Sequence, residues 1–580
     1  MSQLINNLDI LRHSTSHVLA QAVLKLFPSA KLGIGPAISD GFYYDFDLDT
    51  AITEDDLSKL ESIMHDIISE GQLFAHFTLD KEASLKKLQE SNQTYKCELI
   101  QDLQLDTYSF YENGPFTDLC KGPHIENTNQ IKAFKLLKVS GAYWKGSEEN
   151  KMLQRIYGTA FFNTKDLKVY LHQLAEAKKR DHRKLGKELD LFSIKNDIGG
   201  GLILWHPKGS IMRNLIETYW KNQHIKQGYD LVYTPHIGKA DLWKTSGHLD
   251  FYEENMYDKM SIENQDYYLR PMNCPFHIMI YNDSLQSYRH LPKRYAELGT
   301  VYRFERSGVL QGLFRVRGFT QDDAHIICSK DDINKEIEKA LSFSLTMLKV
   351  FGFLEFELFV STKPAEKFVG NPEQWVLAEN ALKHALENQQ LPYEIDEGGG
   401  AFYGPKIDIK IKDAIGRQWQ CSTIQFDFNL PARFNMSFIN TKGIKEEPYV
   451  IHRALLGSIE RFFGILIEHY AGWFPAWLAP VQCTILTINS ESHDYAKKVL
   501  SELQKNNIRV DYDDSSEKIG YKIKQAISQK IPYLLIIGDQ EVSDNKITIR
   551  HKKNNMGSLS VADFIEKFRA EFTSPIDNVI

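Results

Sequence analysis

Cysteine is scarce in this chain, with six residues among 580, and the six are widely scattered: Cys97, Cys120, Cys274, Cys328, Cys421 and Cys483. This spacing excludes the disulfide framework of small secreted proteins and suits reduced thiols or metal ligands. Apolar runs long enough to cross a bilayer are also absent, and residues 1–7 lack the basic leader and apolar core of a secretion signal. We therefore expect a cytoplasmic protein without membrane association.

An excess of positive charge is lacking as well, because the net charge is −7. This balance argues against wholesale wrapping of nucleic acid but leaves room for local basic clusters. One such cluster is residues 178–184, which taken alone would be interpreted as a solvated helix face. Internal repeats and low-complexity segments are missing too, so the fold must come from ordinary globular domains.

The length and the hydrophobic content of 42% suffice for several cores. Up to residue 162, helical patterns such as 14–27 mix with short strands such as 41–46, which predicts an α+β domain over 1–162. Apolar residues then recur at helical spacing from 167 to 174 and lead into the basic cluster. We expect one long connecting helix over 163–190.

The rest of the chain divides near residue 480. A helix bearing Met212, Ile216 and Trp220 ends near Gly228 and leads into a strand, 229–234, before a proline. Strands and helices alternate irregularly from there, which predicts one catalytic domain over 191–480. Beyond it, strands 483–488, 508–512 and 533–537 alternate with helices, so 481–580 is predicted to be a small α/β domain.

Two segments carry residues suited to a nucleotide. Residues 302–308 and 314–325 place arginines, acids and an aromatic residue on two strands and their loop, where arginine can fork onto phosphate and an aromatic ring can stack on adenine. The alternative is a surface hairpin with ion pairs. Residues 452–462 are predicted to open a helix with Arg461 pointing inward, whose Gly457 would let backbone N–H groups approach an anionic ligand.

Together, the helix and strand before Pro235, the Arg303-Phe304-Glu305 segment and the Gly457–Arg461 segment resemble three signatures of class II aminoacyl-tRNA synthetases. Further matches narrow the resemblance to the threonyl-tRNA synthetase family and cover essentially the whole chain: 141–144, 151–159, 270–275, 317–325, 401–406 and 419–421. Most bacterial relatives carry a small N-terminal domain before the editing domain, and this chain is expected to begin at the latter.

The resemblance implies three folds in order: an α+β editing domain, a class II catalytic domain with an antiparallel sheet flanked by helices, and a C-terminal α/β anticodon-binding domain. It implies an ATP-dependent threonine–tRNA ligase with hydrolytic editing of mischarged Ser-tRNA(Thr), acting as a homodimer. At the C-terminus it assigns anticodon binding to Glu541 and Arg550. Ser516 and Lys524 stand where the family often has Asn and Arg.

The resemblance also implies one zinc ion per chain, held by Cys274, His325 and His452. On their own, three such distant residues would be interpreted as packed core residues. Three protein ligands leave zinc an open position for substrate. Threonine's amino group and hydroxyl are expected to reach the ion with help from Asp323, so valine, which lacks the hydroxyl, would be rejected by roughly 10⁴-fold or more.

For activation, the resemblance assigns Arg303 and Arg461 to the charge on ATP, Phe319 to adenine stacking, and Gln420 with Tyr403 to threonine and its surroundings. Magnesium is expected with ATP. Catalysis then rests on alignment and charge neutralisation rather than on a covalent nucleophile. The further residues expected to bind substrate or ATP are Glu305, Arg315, Gln321, Asp323, Lys406, Gln425 and Ser458.

Serine lacks only a methyl group worth roughly 1–3 kcal/mol, so its misactivation is expected and a second site must remove it. The N-terminal region offers His13 and His17, spaced four apart, and Cys120 and His124 at the same interval. From spacing, these residues suit a second zinc site. The resemblance favours a metal-free hydrolytic cleft instead, and a third interpretation is a set of buried structural histidines.

Two other functions fit parts of the sequence. One is a stand-alone hydrolase that clears Ser-tRNA and keeps the catalytic region as a scaffold. The other is a synthetase-like regulator that binds RNA through its C-terminal domain without catalysis. Either would be expected to have lost an ATP or metal residue, and Arg303, Arg461 and the three zinc candidates are all present.

Overall fold

The computed structural model describes residues 2–366, 368–552 and 554–571. The chain divides into two compact units, Met1–Ala175 and Glu176–Ile580. Within the described ranges, no helix combines the length and apolar character needed to cross a bilayer.

The first unit is α+β, as predicted. Its apolar core is formed by the inner face of α1, including Leu11, Val18 and Leu19, against the sheet residues Phe42 and Phe46. The helix begins earlier than the predicted 14–27 but ends within one residue of it. The helices of this unit are α1 Ser2–Leu26, α2 Glu54–Ser69, α3 Lys81–Glu90, α4 Thr94–Leu103 and most of α5 Thr164–Arg180, whose last residues belong to the second unit. Its strands are β1 Lys31–Leu32, β2 Ala37–Ile38, β3 Gly41–Asp47, β4 Phe74–Asp80, β5 Thr107–Asn113, β6 Phe116–Leu119, β7 Ala133–Tyr143 and β8 Met152–Phe161.

Two sheets organise this unit. One has the order β1-β3-β8-β7 with β2 paired to β3, and the other has the order β4-β5-β6. All of these strand pairs are antiparallel. Strand β6 ends at Leu119, immediately before Cys120.

The connecting segment forms two helices rather than the one predicted. Helix α5 ends at Arg180, and α6, His182–Glu188, begins after Asp181. Asp181 has non-helical backbone angles, φ −47° and ψ 118°, and its side chain accepts a hydrogen bond from the Arg183 amide. An aspartate in this N-cap position starts a new helix, and periodicity alone did not reveal the break.

The second unit contains the largest apolar core, which lies between a central sheet and helices. Its helices up to residue 470 are α6, α7 Pro207–Lys226, α8 Ala240–Ser246, α9 His248–Phe251, α10 Cys274–Asn282, α11 Ile333–Val350, α12 Pro372–Asn388, α13 Leu430–Arg433 and α14 Ile459–Tyr470. Its strands there are β9 Phe192–Ile194, β10 Ile203–Trp205, β11 Asp230–Leu231, β12 Ile237–Lys239, β13 Met260–Ile262, β14 Gln265–Leu269, β15 Gln286–Ser287, β16 Lys293–Tyr302, β17 Gly318–Cys328, β18 Phe356–Ser361, β19 Glu394–Asp396, β20 Lys406–Lys412, β21 Gln418–Asp427, β22 Phe438–Ile439, β23 Lys445–Glu446 and β24 Tyr449–Ser458.

The central sheet has the order β11-β16-β17-β24-β21-β20-β18-β19. Its inner pairs are antiparallel, and only the two edge pairs, β11 with β16 and β18 with β19, are parallel. The observed strand β11 is shorter than the strand predicted over 229–234. The antiparallel sheet flanked by helices confirms the predicted fold class of this region.

The C-terminal part of the second unit has strands that alternate with helices, as predicted. They are β25 Cys483–Thr487, α15 His493–Lys505, β26 Val510–Asp513, α16 Ile519–Ser528, β27 Tyr533–Ile537, α17 Asp539–Asp544, β28 Ile547–His551, β29 Asn554–Leu559 and α18 Val561–Glu571. The sheet order is β26-β25-β27-β28-β29, in which the first three strands are parallel and the last two antiparallel.

Candidate active sites

Three of the predicted residues meet at the middle of the central sheet. Cys274 begins α10, His325 lies on β17 and His452 lies on β24. The register pairs His325 directly with His452, so both side chains project from the same face of the sheet. One ligand atom from each of the three residues lies within 4.8 Å of the others, and all three residues are buried.

The two histidines belong to a longer chain of contacts. His325 Nε2 lies 2.9 Å from His452 Nδ1, and His325 Nδ1 lies 2.8 Å from Nδ1 of His277. His277 Nε2 lies 3.1 Å from a Glu297 carboxylate oxygen. At the other end, His452 Nε2 lies 2.8 Å from Asp427 Oδ2.

Sequence reasoning missed His277, Glu297 and Asp427. The available signals were the Cys-x-x-His spacing of Cys274 and His277 on one helix, and a single acid in each of the strands β16 and β21. Burial opposes ionisation of Glu297, but hydrogen bonds from His277 and Thr234 and the charge of Arg270 outweigh it and lower the pKa of this carboxyl. Glu297 is therefore a carboxylate.

The donor set suits zinc. Burial lowers the pKa of His325 well below its ordinary value, so its imidazole is neutral, which is the form that binds a metal. Burial and the nearby charge of Asp323 raise the pKa of the Cys274 thiol, so a thiolate there requires a compensating cation. One sulfur and two imidazole nitrogens leave a tetrahedral ion one open position.

Cys274 and His452 line a cavity of about 420 Å³. Its lining includes Gln321, Asp323, Tyr403 and Gln425. Burial raises the pKa of Asp323, and its Oδ2 accepts a hydrogen bond of 3.0 Å from the Asn273 amide. Gln425 donates to the Gly404 carbonyl at 3.3 Å, whereas Gln321 Oε1 is buried and makes no hydrogen bond within the described residues. The cavity thus offers an acid and an unused amide oxygen to a small polar ligand.

Gln420 and Lys406 meet at one carboxylate. Gln420 Nε2 donates to Asp408 Oδ1 at 2.7 Å, and Lys406 Nζ lies 2.6 Å from Asp408 Oδ2. Asp408 therefore fixes the positions of the Gln420 and Lys406 side chains, although sequence reasoning did not single it out.

Arg303 directly follows β16, and Phe319 is the second residue of β17. The Arg303 guanidinium lies over the Phe319 ring, 5.1 Å from its centroid, and Nε donates to the Pro271 carbonyl at 3.3 Å. Glu305 and Arg315 lie in the loop between the strands and form an ion pair of 2.9 Å. The structure therefore brings Arg303 and Phe319 together, and pairs Glu305 with Arg315 beside them in the loop.

The prediction that 452–462 opens a helix is wrong for its first part. Strand β24 continues to Ser458, and α14 begins at Ile459, where the Ser458 Oγ accepts a hydrogen bond of 3.1 Å from the Arg461 amide. The backbone N–H of Gly457 donates to Asp322 Oδ1 at 2.9 Å. Arg461 Nε is buried and makes no hydrogen bond within the described residues.

The four residues predicted for editing also meet, within the first unit. His13 and His17 lie on α1, Cys120 follows β6, and His124 follows a cis Gly122–Pro123 bond. Cys120 Sγ lies 3.3 Å from His13 Nε2 and 3.3 Å from His124 Nε2. One ligand atom from each of the four lies within 4.8 Å of the others.

This cluster is electrically neutral. Burial lowers the pKa of His13 and, more strongly, of His17 and His124, while burial and the charge of Asp118 raise the pKa of Cys120 to about 12. His17 Nδ1 is buried and makes no hydrogen bond within the described residues. The cluster therefore offers neutral imidazoles, which can accept a proton, rather than a reactive thiolate.

The side chains of Glu541 and His182 use their polar atoms in hydrogen bonds within the fold. Glu541 caps α17, because one carboxylate oxygen accepts from the Gly538 amide at 2.9 Å and the other from the Thr548 hydroxyl at 2.6 Å. Arg550 lies on β28. Asp181, His182 and Glu468 also come close, but the His182 ring uses both nitrogens, bonding Glu468 at 2.7 Å and the Leu313 amide at 2.9 Å.

Three family models match the chain. They are the tRNA synthetase class II core domain (G, H, P, S and T) over residues 257–470, the anticodon binding domain over 482–571, and the threonyl and alanyl tRNA synthetase second additional domain over 108–157. The antiparallel sheet, its site and the core model define a class II aminoacyl-tRNA synthetase.

Similar proteins narrow this class. A threonine–tRNA ligase of Borrelia turicatae is 54% identical over 574 residues, which cover 98% of both chains. One of Magnetococcus marinus is 51% identical over 569 residues, 98% of this chain and 88% of the relative. The chain belongs to the threonine–tRNA ligase family.

Solved structures agree. The RNA binding domain of threonyl-tRNA synthetase from Cryptosporidium parvum superposes with a TM-score of 0.64 at 41% identity, covering 67% of this chain and 98% of that one. A prolyl-tRNA synthetase from the same organism, with a TM-score of 0.52 at 15% identity, shares the fold over 69% of this chain and 76% of its own.

Proposed function

We propose that Cys274, His325 and His452 hold one zinc ion that recognises threonine during its activation with ATP. The observation that carries this proposal is the convergence of a thiol and two imidazoles beside the cavity lined by Asp323 and Gln321. When bound, zinc would supply a Lewis acid to the amino and hydroxyl groups of threonine. Asp323 then accepts a hydrogen bond from one of these groups, and valine leaves the same partners unsatisfied.

For the activation step, we propose that Arg303 neutralises charge at the phosphate that threonine's carboxylate attacks, and that Phe319 stacks on adenine. Arg461 extends an unpaired, buried Nε from the first turn of α14 and is assigned to the remaining ATP charge. Tyr403, Gln420 and Gln425 orient threonine. Magnesium is proposed to accompany ATP and to offset phosphate charge. The roles of the other predicted residues, Glu305, Arg315, Lys406 and Ser458, are to hold ATP or the side chains that contact it.

We also propose that His13, His17, Cys120 and His124 line a metal-free cleft that hydrolyses Ser-tRNA(Thr). The neutral imidazoles support this role, since each can orient a water molecule, and His13, whose pKa is lowered less than those of His17 and His124, can accept its proton. The unused Nδ1 of His17 offers one position for that water. Asp118 forms an ion pair with Lys96, whose Nζ lies 2.6 Å from Asp118 Oδ1.

The remaining assignments are also proposals. The editing domain would cover 1–162, the connecting segment 163–190, the catalytic domain 191–480 and the anticodon-binding domain 481–580, of which 572–580 lie outside the described residues. Glu541 and Arg550 would contact the anticodon, for which stacking and base-edge hydrogen bonds are the usual mode. We propose a homodimer acting in the cytoplasm.

One experiment tests the central proposal. ATP–pyrophosphate exchange is measured with threonine, serine and valine, alongside metal analysis of the purified protein. The expected result is one zinc per chain, strong exchange with threonine, weaker exchange with serine and almost none with valine. Exchange with valine comparable to threonine, or full exchange in metal-free protein, contradicts the proposal.

A further inference from the structure

Two buried carboxylates stand behind the proposed zinc ligands, one on each side. Glu297 on β16 accepts hydrogen bonds from the Thr234 amide at 3.0 Å and the Thr234 hydroxyl at 2.7 Å, and its side chain lies beside Arg270. Asp427 at the end of β21 accepts from the amides of Asn429 and Leu430 at 2.7 and 3.0 Å. Each group is surrounded by donors and is therefore an acceptor towards its histidine neighbour.

Because Glu297 acts as an acceptor, the positions of the ring protons on His277 and His325 can be assigned. A carboxylate can only accept, so the His277 Nε2 atom 3.1 Å away carries a proton and donates it. With this one proton on its ring, His277 has a lone pair at Nδ1, which faces His325 Nδ1 at 2.8 Å. His325 must therefore carry its proton at Nδ1, and its Nε2 atom is left with a lone pair.

The protons on the Asp427 side follow in the same way. His452 Nε2 donates to Asp427 Oδ2 at 2.8 Å, so a ring that carries this one proton has its lone pair at Nδ1. The lone pairs of His325 Nε2 and His452 Nδ1 consequently face one another across 2.9 Å. Two facing lone pairs repel, and a cation bound between them and the Cys274 thiolate converts that repulsion into two ligand bonds.

We propose that His277, Glu297 and Asp427 are positioning residues that fix the tautomers of His325 and His452, so that both lone pairs are directed at one divalent metal. This inference rests on the proposed zinc site. Outer groups of this kind orient metal-binding histidines and raise their basicity, and their loss weakens metal affinity on the order of 10–100-fold.

The test compares two substitutions of His277 in the full-length chain. His277→Asn keeps an acceptor oxygen near the position of Nδ1, whereas His277→Leu removes it at similar volume. After metal removal, Zn²⁺ affinity is measured by competition with a chromophoric chelator, and Co²⁺ loading is followed by its absorption bands. We expect His277→Asn to bind Zn²⁺ within a few-fold of wild type and His277→Leu to bind about 10–100-fold more weakly.

Equal Zn²⁺ affinity of His277→Leu and wild type overturns the inference, as does equal weakening by both substitutions, which marks a packing role. A wild-type chain that binds no Zn²⁺ instead overturns the proposed metal site itself. Should His277→Leu fail to fold, nitrogen-15 NMR of histidine-labelled, metal-free wild type decides the question. A proton on Nδ1 of His325 and on Nε2 of His452 supports the inference, and the reverse assignment for His325 overturns it.

Discussion

The guanidinium of Arg303 lies over the ring of Phe319, where Arg303 directly follows β16 and Phe319 is the second residue of β17. Among the described residues, the Arg303 side chain donates one hydrogen bond, from Nε to the Pro271 carbonyl, so its other nitrogens have donors left for ATP. We expect Arg303→Ala to lower the rate of adenylate formation by about 10²–10³-fold while changing the thermal unfolding midpoint little. Exposed Arg306 in the same loop provides the control, because Arg306→Ala removes the same charge. Similar exchange kinetics for the two variants would remove the role assigned to Arg303.

The proposed zinc ligands predict a second outcome. Cys274→Ser and His325→Ala should each lose about one zinc per chain and threonine-dependent pyrophosphate exchange together, since two remaining ligands hold the ion poorly. Cys328→Ala removes a buried thiol further along the same strand as His325 and should keep both properties. Metal content and exchange are measured on the same preparations. Exchange at the wild-type rate in verified zinc-free Cys274→Ser would exclude the proposed role.

The N-terminal cluster predicts a separation of synthesis from editing. His13→Ala combined with Cys120→Ala should leave Thr-tRNA synthesis near normal while Ser-tRNA accumulates, because the missing methyl of serine cannot supply enough discrimination on its own. Deacylation of preformed Ser-tRNA is compared between the wild type and the double variant. The control is His65→Ala with Cys97→Ala, a histidine and a cysteine of the same unit outside the cluster. Equal deacylation rates in all three proteins would mean that the cluster is structural.

The raised pKa of Cys120 predicts that this thiol reacts slowly with alkylating agents. Burial, reinforced by Asp118, moves this pKa to about 12, so the protonated form dominates at every pH below that value. Alkylating agents react with the thiolate, and the thiolate fraction at pH 8 is on the order of 10⁻⁴. Iodoacetamide labelling of Cys120, followed by peptide mass spectrometry, should be at least about 10²-fold slower than labelling of free cysteine and should rise about tenfold per pH unit. Labelling at the rate of free cysteine at pH 8 contradicts this expectation.

Substitution of Asp322 is predicted to destabilise the end of β24, next to the residues proposed to bind ATP. Its fully buried carboxylate accepts hydrogen bonds from the amides of Leu455, Leu456 and Gly457 at 2.8–2.9 Å. Asp322→Ala leaves these three amides and the Trp220 indole N–H, which donates to Asp322 Oδ2 at 3.2 Å, without this partner and should cost about 3 kcal/mol or more, whereas Asp322→Asn keeps an acceptor oxygen and should cost less. Urea denaturation followed by tryptophan fluorescence measures the order of the two variants. Equal losses would show that acceptance by Asp322 does not stabilise β24.

Much of the fold followed from the sequence because apolar periodicity reports which face of an element is buried. The C-terminal strands and the helix ending near Gly228 were placed within about two residues by this signal. The break at Asp181 and the strand leading to Ser458 were not, because the first depends on a single capping side chain and the second on pairing with β17 and β21. Local patterns do not contain those partners.

The candidate sites show the same division. Cys274, His325 and His452 were grouped through the family resemblance, since nothing in their spacing relates residues so far apart, and the structure brings them together. The roles assigned to them stay predictions. His277, Glu297 and Asp427 were missed because their contribution lies in the hydrogen bonds they make to other side chains, which are visible only once the sheet is assembled.

The pairing of His325 with His452 also bears on how the core reaches its native state. Side chains alternate along a strand, so a slip of one residue between β17 and β24 would send one imidazole to the opposite face of the sheet. A metal ion that requires both imidazoles would bind only the correct alignment and would stabilise it by mass action. The zinc ion proposed to recognise threonine would then also select the correct register of β17 and β24 during folding, before any substrate is present.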